Sequence, residues 1–470
     1  MTNDHYDLVV IGGGSGGLVA ARFAAQLGAT VALAERNRIG GDCTWTGCVP
    51  SKALLKAAKI THAVRTASHY GVISSAPAVD MVQVREYVRS AIQAVYRFET
   101  PEQLQGEGID VILGNAQFID AGTVKIGDRV VRSKKFLLTT GAQPLIPAIA
   151  GLHDVPYVTY ENIFDNEALP KTMIVVGGGP VGMELAQAYQ RLGSQVTVVA
   201  DRILPKEDAD VQQLMRSLFE GEGIRFVLEQ AKSARKDGGS IVIAAEHQEI
   251  RGDLLLIAAG RKPSVDGLGL EKAGVQYSAR GITVDDHLRT NIKHIYAAGD
   301  VAGGYQFTHY AGWQAFQAVR NALLPGNSSG VSDLVPWVTF TDPEVAHVGL
   351  TQQQASTEFG SSIRIHRWNM DHVDRAVCES DTSGFMKIIT KKDRTIAGAT
   401  IVAARAGETI VELIIAMKEK TTIKELAGAI HPYPTYSTAV QQLAADMTVE
   451  KLISGTSGRI IRRLSKIIIR

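Results

Sequence analysis

Of the three cysteines in this 470-residue chain, Cys43 and Cys48 lie close together in Gly40-Gly41-Asp42-Cys43-Thr44-Trp45-Thr46-Gly47-Cys48-Val49-Pro50-Ser51-Lys52. Two thiols separated by four residues at a predicted helix start can close a small disulfide ring, and the helix N-terminus together with Lys52 would stabilise a thiolate. A zinc site would need two more soft ligands, and the local sequence offers none. Three cysteines are also far too few for a disulfide framework in a chain this long. The pair therefore reads as redox chemistry. Cys378, in Arg375-Ala376-Val377-Cys378-Glu379, has no thiol or histidine near it in sequence and is expected to be a partly buried structural thiol.

Two glycine-rich turns supply the second kind of chemistry. Gly12, Gly14 and Gly17 follow the apolar run Leu8 to Ile11 and open a predicted helix. That spacing permits a tight turn and close approach of backbone to a pyrophosphate, whose charge sits at the helix N-terminus. Glu35, at the end of the next predicted strand, falls where a carboxylate accepts hydrogen bonds from a ribose. Gly177, Gly179 and Gly182 repeat the pattern after Met173 to Val176, but Ala200 stands at the acid position. Without that carboxylate a free 2′-hydroxyl loses its partner, while Arg202 and Lys206 could meet a 2′-phosphate. NADPH is the expected nucleotide, with NADH open if Asp201 takes the ribose role.

The elements that must position these residues follow from pattern and length. The chain has room for about three domains at the usual ~150 residues each. Helices are expected at about 51–68 and 81–103, and strands near 109–113, 123–126, 136–139, 254–258, 295–298, 385–390 and 397–402. The expected division is 1–150 with 277–334, then 151–276, then 335–456, and a basic amphipathic helix over 457–470. Lys plus Arg number 49 against 48 Asp plus Glu, a net charge of +1, which points to no nucleic-acid partner. Acidic Asp4 and Asp7 precede the first apolar run, which is unlike a secretory signal, and no stretch approaches the ~20 apolar residues of a membrane span. The expected compartment is the cytoplasm.

The cysteine segment resembles the class I pyridine nucleotide-disulfide reductases, the family of glutathione reductase, dihydrolipoamide dehydrogenase and mercuric reductase. The resemblance continues through Thr140-Gly141-Ala142, Glu184, Ala259-Gly260-Arg261-Lys262-Pro263, Ala298-Gly299-Asp300 and Phe340-Thr341-Asp342-Pro343-Glu344, from about Asp7 to Thr448. It implies an α/β fold with two Rossmann-like dinucleotide-binding domains and a C-terminal α+β interface domain that forms a homodimer. FAD would lie over the first domain, with Glu35 on its adenosine ribose and Asp300 on its ribityl chain; Thr140, Gly141 and Gly260 are further cofactor-binding candidates. Lys52 would sit near flavin N5 and pair with Glu184. Electrons would pass from nicotinamide through flavin to the disulfide, Cys48 being the thiolate beside the flavin and Cys43 the thiol that attacks substrate. Without the resemblance, Lys52 and Glu184 would read as exposed helical charges and Asp300 as a turn residue.

The pattern departs in the third domain. Relatives that reduce disulfides carry His-x-His-Pro-Thr-x-x-Glu, whose second His protonates the leaving thiol. Here the segment is His431-Pro432-Tyr433-Pro434-Thr435-Tyr436-Ser437-Thr438. Tyr433 occupies the base position, His431 the earlier one, and Thr438 that of the carboxylate. A tyrosine of pKa ~10 is a poor proton shuttle at neutral pH. Mercuric reductases are similar in carrying Tyr there, yet this chain ends Ile467-Ile468-Ile469-Arg470, without their vicinal C-terminal cysteines. The expected reaction is mercuric reductase-like, with a metal ion or quinone as acceptor. A dihydrolipoamide dehydrogenase-like activity using His431, and a membrane-associated FAD module without turnover, are the alternatives. In the terminal segment Ile460, Ile461, Leu464, Ile467 and Ile468 share a helical face, with Arg459, Arg462, Arg463, Lys466 and Arg470 largely elsewhere. Packing of this stripe on the dimer is expected, contact with an anionic membrane being the alternative.

Overall fold

The computed structural model describes residues 4–453 and 455–468, so the expectation for Arg470 lies outside the described residues, as do the side chains of Arg462 and Lys466. Contacts divide the chain into two compact units, 1–203 with 220–332 and 204–219 with 333–470.

In the first unit the apolar run becomes the buried strand His5–Ile11. It pairs in parallel with Val31–Glu35 on one side and Arg129–Leu138 on the other, and Ile109–Leu113 and Ile295–Ala297 extend the sheet in parallel at either side. Strands such as Leu8–Ile11, apolar at every position, are what a parallel sheet buried on both faces requires. Ser15–Gln26 is the first crossover helix, and Ile295–Ala297 returns to this sheet from far along the chain. A second parallel sheet runs Arg225–Val227, Gln195–Val199, Thr172–Val176, Leu254–Ile257, with Pro180–Leu192 as its crossover helix. The doubly wound α/β expectation is met.

One helical expectation is corrected. The stretch expected as a single helix over 81–103 is two, Met81–Tyr96 and Pro101–Gly106. Thr100 accepts a hydrogen bond from the Gln103 amide at 3.2 Å and Pro101 follows it at the first helical position. A proline there lacks the N–H that would continue the earlier helix, so it starts a new one.

The second unit holds a five-stranded antiparallel sheet in the order Trp337–Thr339, Glu344–Gly349, Ile396–Ala403, Phe385–Thr390, Arg364–Asn369. Helices Ala406–Lys418 and Thr438–Ile453 bury Ile410, Leu413, Val440 and Leu443 against Ile388, Ala399 and Ile401. The segment 204–219 is tied into this unit by Lys387, a buried lysine whose ammonium lies 2.8 Å from both Asp208 and Asp210.

Candidate active site

Gly40-Gly41 lead into the short helix Gly41–Trp45, which carries Cys43; Gly47 then breaks the chain and Cys48 is the first residue of the long helix Cys48–Thr66. A Cβ on Gly47 would stand 2.8 Å from the Asp42 carbonyl, so only glycine lets the two helices fold back closely enough for the sulfurs to meet. Cys48 thus sits at a helix N-terminus, where exposed amides favour an anion. Its Sγ lies 3.2 Å from Thr308 Oγ1, and Thr308 itself opens the helix Thr308–Leu323.

The two thiols are driven apart in acidity. The Cys48 pKa falls to about 6, first because Cys43 hydrogen-bonds to its sulfur, then through Thr308 and the Lys52 charge, against partial desolvation of a residue that is still exposed and against the Glu184 carboxylate. Cys43 is pushed far above the ordinary thiol range, chiefly because its proton is held in that bond and because it is buried. The surroundings of the two sulfurs thus favour negative charge at Cys48 over Cys43.

One turn beyond Cys48, Lys52 donates to Glu184 Oε2 at 2.9 Å. Glu184, on the helix Pro180–Leu192, has a side chain only 8% exposed, so neither residue is the solvated helical charge that spacing alone suggested. Asp300 is likewise more than a turn residue. It is buried, which raises its pKa against the pull of Arg261, whose guanidinium lies 2.7 Å from it. The same guanidinium reaches Asp42 at 2.6 Å, and Tyr160 donates to Asp42 at 3.2 Å. Asp42, two residues from the start of the redox loop, is thereby fixed to the base of the site.

Both glycine turns test well as phosphate cradles. A Cβ on Gly12 would lie 2.4 Å from the Thr139 carbonyl and one on Gly17 1.8 Å from the Gly12 carbonyl, while one on Gly14 would meet only ordinary contact at 3.8 Å. In the second turn Gly177 and Gly182 would clash at 2.2 and 2.1 Å, whereas nothing lies within 4 Å of a Cβ on Gly179. The outer glycines let strand and helix approach, and the middle one leaves its side open at a helix N-terminus, as a pyrophosphate requires. Glu35 accepts from the Gly13 and Asn37 amides, each at 2.7 Å, which places its carboxylate against the first cradle. Thr140 donates to the Ser264 carbonyl at 2.8 Å, and Gly141 and Gly260, with φ of +70° and +122°, turn the paired strands Ala142–Pro144 and Arg261–Pro263. Arg202 is exposed beside the second cradle, where its carbonyl would lie 2.2 Å from a Cβ on Gly178. Lys206 falls in the other unit.

In the second unit Tyr433 is 70% exposed and its hydroxyl donates to Asp374, a bond that raises its pKa further. The ring of His431 is held at both nitrogens, by the Ala429 carbonyl at 3.2 Å and the Glu412 carboxylate at 2.9 Å, and its side chain is only 7% exposed. Thr438 is buried, donating to the Thr435 carbonyl at 2.6 Å. Cys378 corrects an expectation: it is exposed. The short helix Asp374–Glu379 buries only Ala376, and a residue two positions on faces the opposite side.

Thr308, Tyr160, Asp42 and Glu412 were not singled out from sequence, since a lone hydroxyl or carboxylate carries no spacing signal. Arg261 was quoted only as part of a turn.

Two nucleotide cradles converging in one chain with a thiolate–thiol pair define a dinucleotide-dependent disulfide oxidoreductase. Known proteins agree. Residues 6–315 match the family described as pyridine nucleotide-disulphide oxidoreductase, and residues 335–444 match its dimerisation domain. Mercuric reductase of Bacillus cereus is 34% identical over 96% of this chain and 73% of its own length. Dihydrolipoyl dehydrogenase of Thermus scotoductus is 32% identical over 93% and 96% respectively. The Cu(II) complex of the HOCl-induced flavoprotein disulfide reductase RclA from Escherichia coli is similar at a TM-score of 0.86 and 28% identity, covering 95% of this chain and 99% of that one. The chain belongs to the pyridine nucleotide-disulphide oxidoreductase family, an enzyme family whose members use FAD and NAD(P)H.

Proposed function

We propose that the protein is an NADPH-dependent flavoprotein reductase of metal ions or quinones that works through Cys43 and Cys48. The observation that carries this reading is the side chain at position 433. A tyrosine hydroxyl already committed to Asp374, with a raised pKa, is unsuited to protonating a departing thiolate at neutral pH. A metal ion or a quinone needs no such proton donor from the protein. The name of the similar E. coli reductase complex, which includes Cu(II), supports the metal branch. Half-buried Tyr305 and Phe307 and exposed His309, stacked or adjacent around Thr308, support the quinone branch by offering planar faces near Cys48.

In this reading FAD is held by residues 1–150 and 277–334, NADPH by 151–276, and a homodimer forms through 335–456. Gly12, Gly14 and Gly17 take the FAD pyrophosphate, Glu35 its ribose, and Asp300, Thr140, Gly141 and Gly260 line the rest of its site. Bound FAD supplies two-electron transfer between the nicotinamide and the disulfide. Gly177, Gly179 and Gly182 hold the NADPH pyrophosphate and Arg202 its 2′-phosphate, in keeping with the missing acid at Ala200. Lys52, oriented by Glu184, holds positive charge beside the Cys48 thiolate, and the Cys43 thiol is the outward-working group. Reduction adds two electrons and one proton to the disulfide, leaving the thiolate at 48 and the thiol at 43. The cytoplasm, where NADPH is kept reduced, is the proposed compartment. Among the described residues no helix is long and apolar enough to cross a membrane.

The test is an anaerobic titration with NADPH and NADH followed by an acceptor panel of disulfides, quinones, Hg(II) and Cu(II). Turnover of lipoamide or glutathione disulfide at rates matching the metal and quinone acceptors would overturn the reading. The second reading, a dihydrolipoamide dehydrogenase-like enzyme, is favoured by one feature, the carboxylate of Glu412 on His431. His431→Ala with unchanged disulfide turnover would remove it.

A further inference from the structure

The helix Gly455–Ile468 lies beyond the matched dimerisation domain, which ends at residue 444. At about 100° per residue, Ile460, Ile461, Leu464, Ile467 and Ile468 fall within roughly 120° of its circumference, and Arg459, Arg462, Arg463 and Lys466 within the opposite third. The five apolar side chains are 55%, 37%, 52%, 71% and 83% exposed. Gly458, by contrast, is buried and Ser465 half-buried. The helix therefore covers its small-residue side, next to its neighbour Thr438–Ile453 in the chain, and leaves the apolar stripe exposed.

Charge says what would cover the stripe. Between positions 454 and 470 stand Arg459, Arg462, Arg463, Lys466 and Arg470 and no acidic residue. With a whole-chain net charge of only +1, the rest of the chain is net negative, so positive charge is concentrated on this helix, which is the part an anionic surface would attract. Pairing the stripe with the same stripe of a second copy would bring together two helices that each carry positive charge and no acidic residue. Exposed Arg463 borders one edge of the apolar arc and exposed Arg459 lies about 40° further round, so their long side chains could reach lipid phosphates if that arc entered a headgroup layer.

We propose that the helix Gly455–Ile468 docks the protein peripherally on an anionic phospholipid surface. The stripe enters the boundary between headgroups and acyl chains and the arginines engage lipid phosphates. The docking is independent of the electron acceptor and of the reading of Tyr433.

The experiment is sedimentation of the full-length holoenzyme with vesicles of phosphatidylcholine alone or mixed with phosphatidylglycerol. Binding to the mixed vesicles and not to phosphatidylcholine is expected, weakening as salt is raised. R459Q/R463Q should lower the partition coefficient by on the order of thirtyfold, from the loss of two cations near the surface. Leu464→Asp combined with Ile467→Asp should abolish binding, with NADPH oxidation unchanged in both variants. The arginine variant sits on exposed positions and does not rely on the second pair folding normally. Equal binding to both vesicle types, no binding to either, or R459Q/R463Q binding as wild type would overturn the proposal. So would a light-scattering mass that halves in the Leu464/Ile467 variant, which would show a second copy covering the stripe.

Discussion

Replacing Thr308 with valine removes one donor from the Cys48 sulfur while nearly conserving volume. Thr308 is 3.2 Å from Cys48 Sγ and is the second stabiliser of the thiolate after Cys43, ahead of Lys52. A hydrogen bond to a charged group contributes about 1.5–3 kcal/mol when dry, and the exposure of Cys48 argues for the lower end, which is about one pKa unit. The Cys48 pKa, about 6 in the parent, should therefore rise to roughly 7 in Thr308→Val. Cys43→Ala, which removes the largest stabiliser, should raise it more, and Lys52→Met less, because Lys52 acts only through its charge. The sign is that of an acid depressed in the folded state: thiolate persists above the depressed value and is lost as pH falls through it. The assay is thiolate difference absorbance of the reduced holoenzyme against pH, with the NADPH-dependent rate measured in parallel. A midpoint that stays near that of the parent in Thr308→Val, or a larger rise in Lys52→Met than in Cys43→Ala, would refute the assignment of causes.

Glu184→Gln keeps the shape of the Lys52 partner but removes its charge, and should lower the NADPH-linked rate about tenfold with less than about 2 kcal/mol lost in stability, measured by steady-state kinetics and urea unfolding. Lys387→Met leaves Asp208 and Asp210 facing each other without their shared cation, and should cost about 3 kcal/mol at neutral pH. Burial opposes the Asp208 charge but Lys387 and the Gln352 amide hold its pKa down, so this loss should shrink as pH falls through the carboxylate range. Glu207 is the opposite case: burial lifts its pKa to about 7, against the bond from Trp337 Nε1 at 2.6 Å. A raised acid favours the folded state fully below its unfolded pKa and loses that advantage as pH rises through the folded value. Glu207→Gln should therefore be more stable than the parent at pH ~8, by at most about 3 kcal/mol, and not at pH ~5; a Tm difference independent of pH would contradict the assignment.

The parallel sheets and both cradles were legible because strand, glycine spacing and helix are neighbours in sequence, and the clash distances at Gly12, Gly17, Gly177 and Gly182 are the physical content of that spacing. The break between the helices Met81–Tyr96 and Pro101–Gly106 was legible too, in Thr100-Pro101, but apolar periodicity outweighed it. Burial was harder to read. Cys378 is exposed because of which side of a six-residue helix it occupies, and a pattern that short has no period to measure.

By itself the sequence determined that this chain carries two nucleotide turns, a redox-capable cysteine pair and a third domain with tyrosine where a proton donor is otherwise found. The first two are properties of residue type and short spacing, which local backbone geometry translates directly, and the third is what the family resemblance implies. The family resemblance implied a thiolate at Cys48, but only the tertiary structure supplied a physical reason for Cys48 to be favoured over Cys43. That depends on Thr308, which is 260 positions away, and on a lysine paired with a glutamate 132 positions away. Acidity is set by the charges and donors that surround a sulfur in space, and chain distance does not record them.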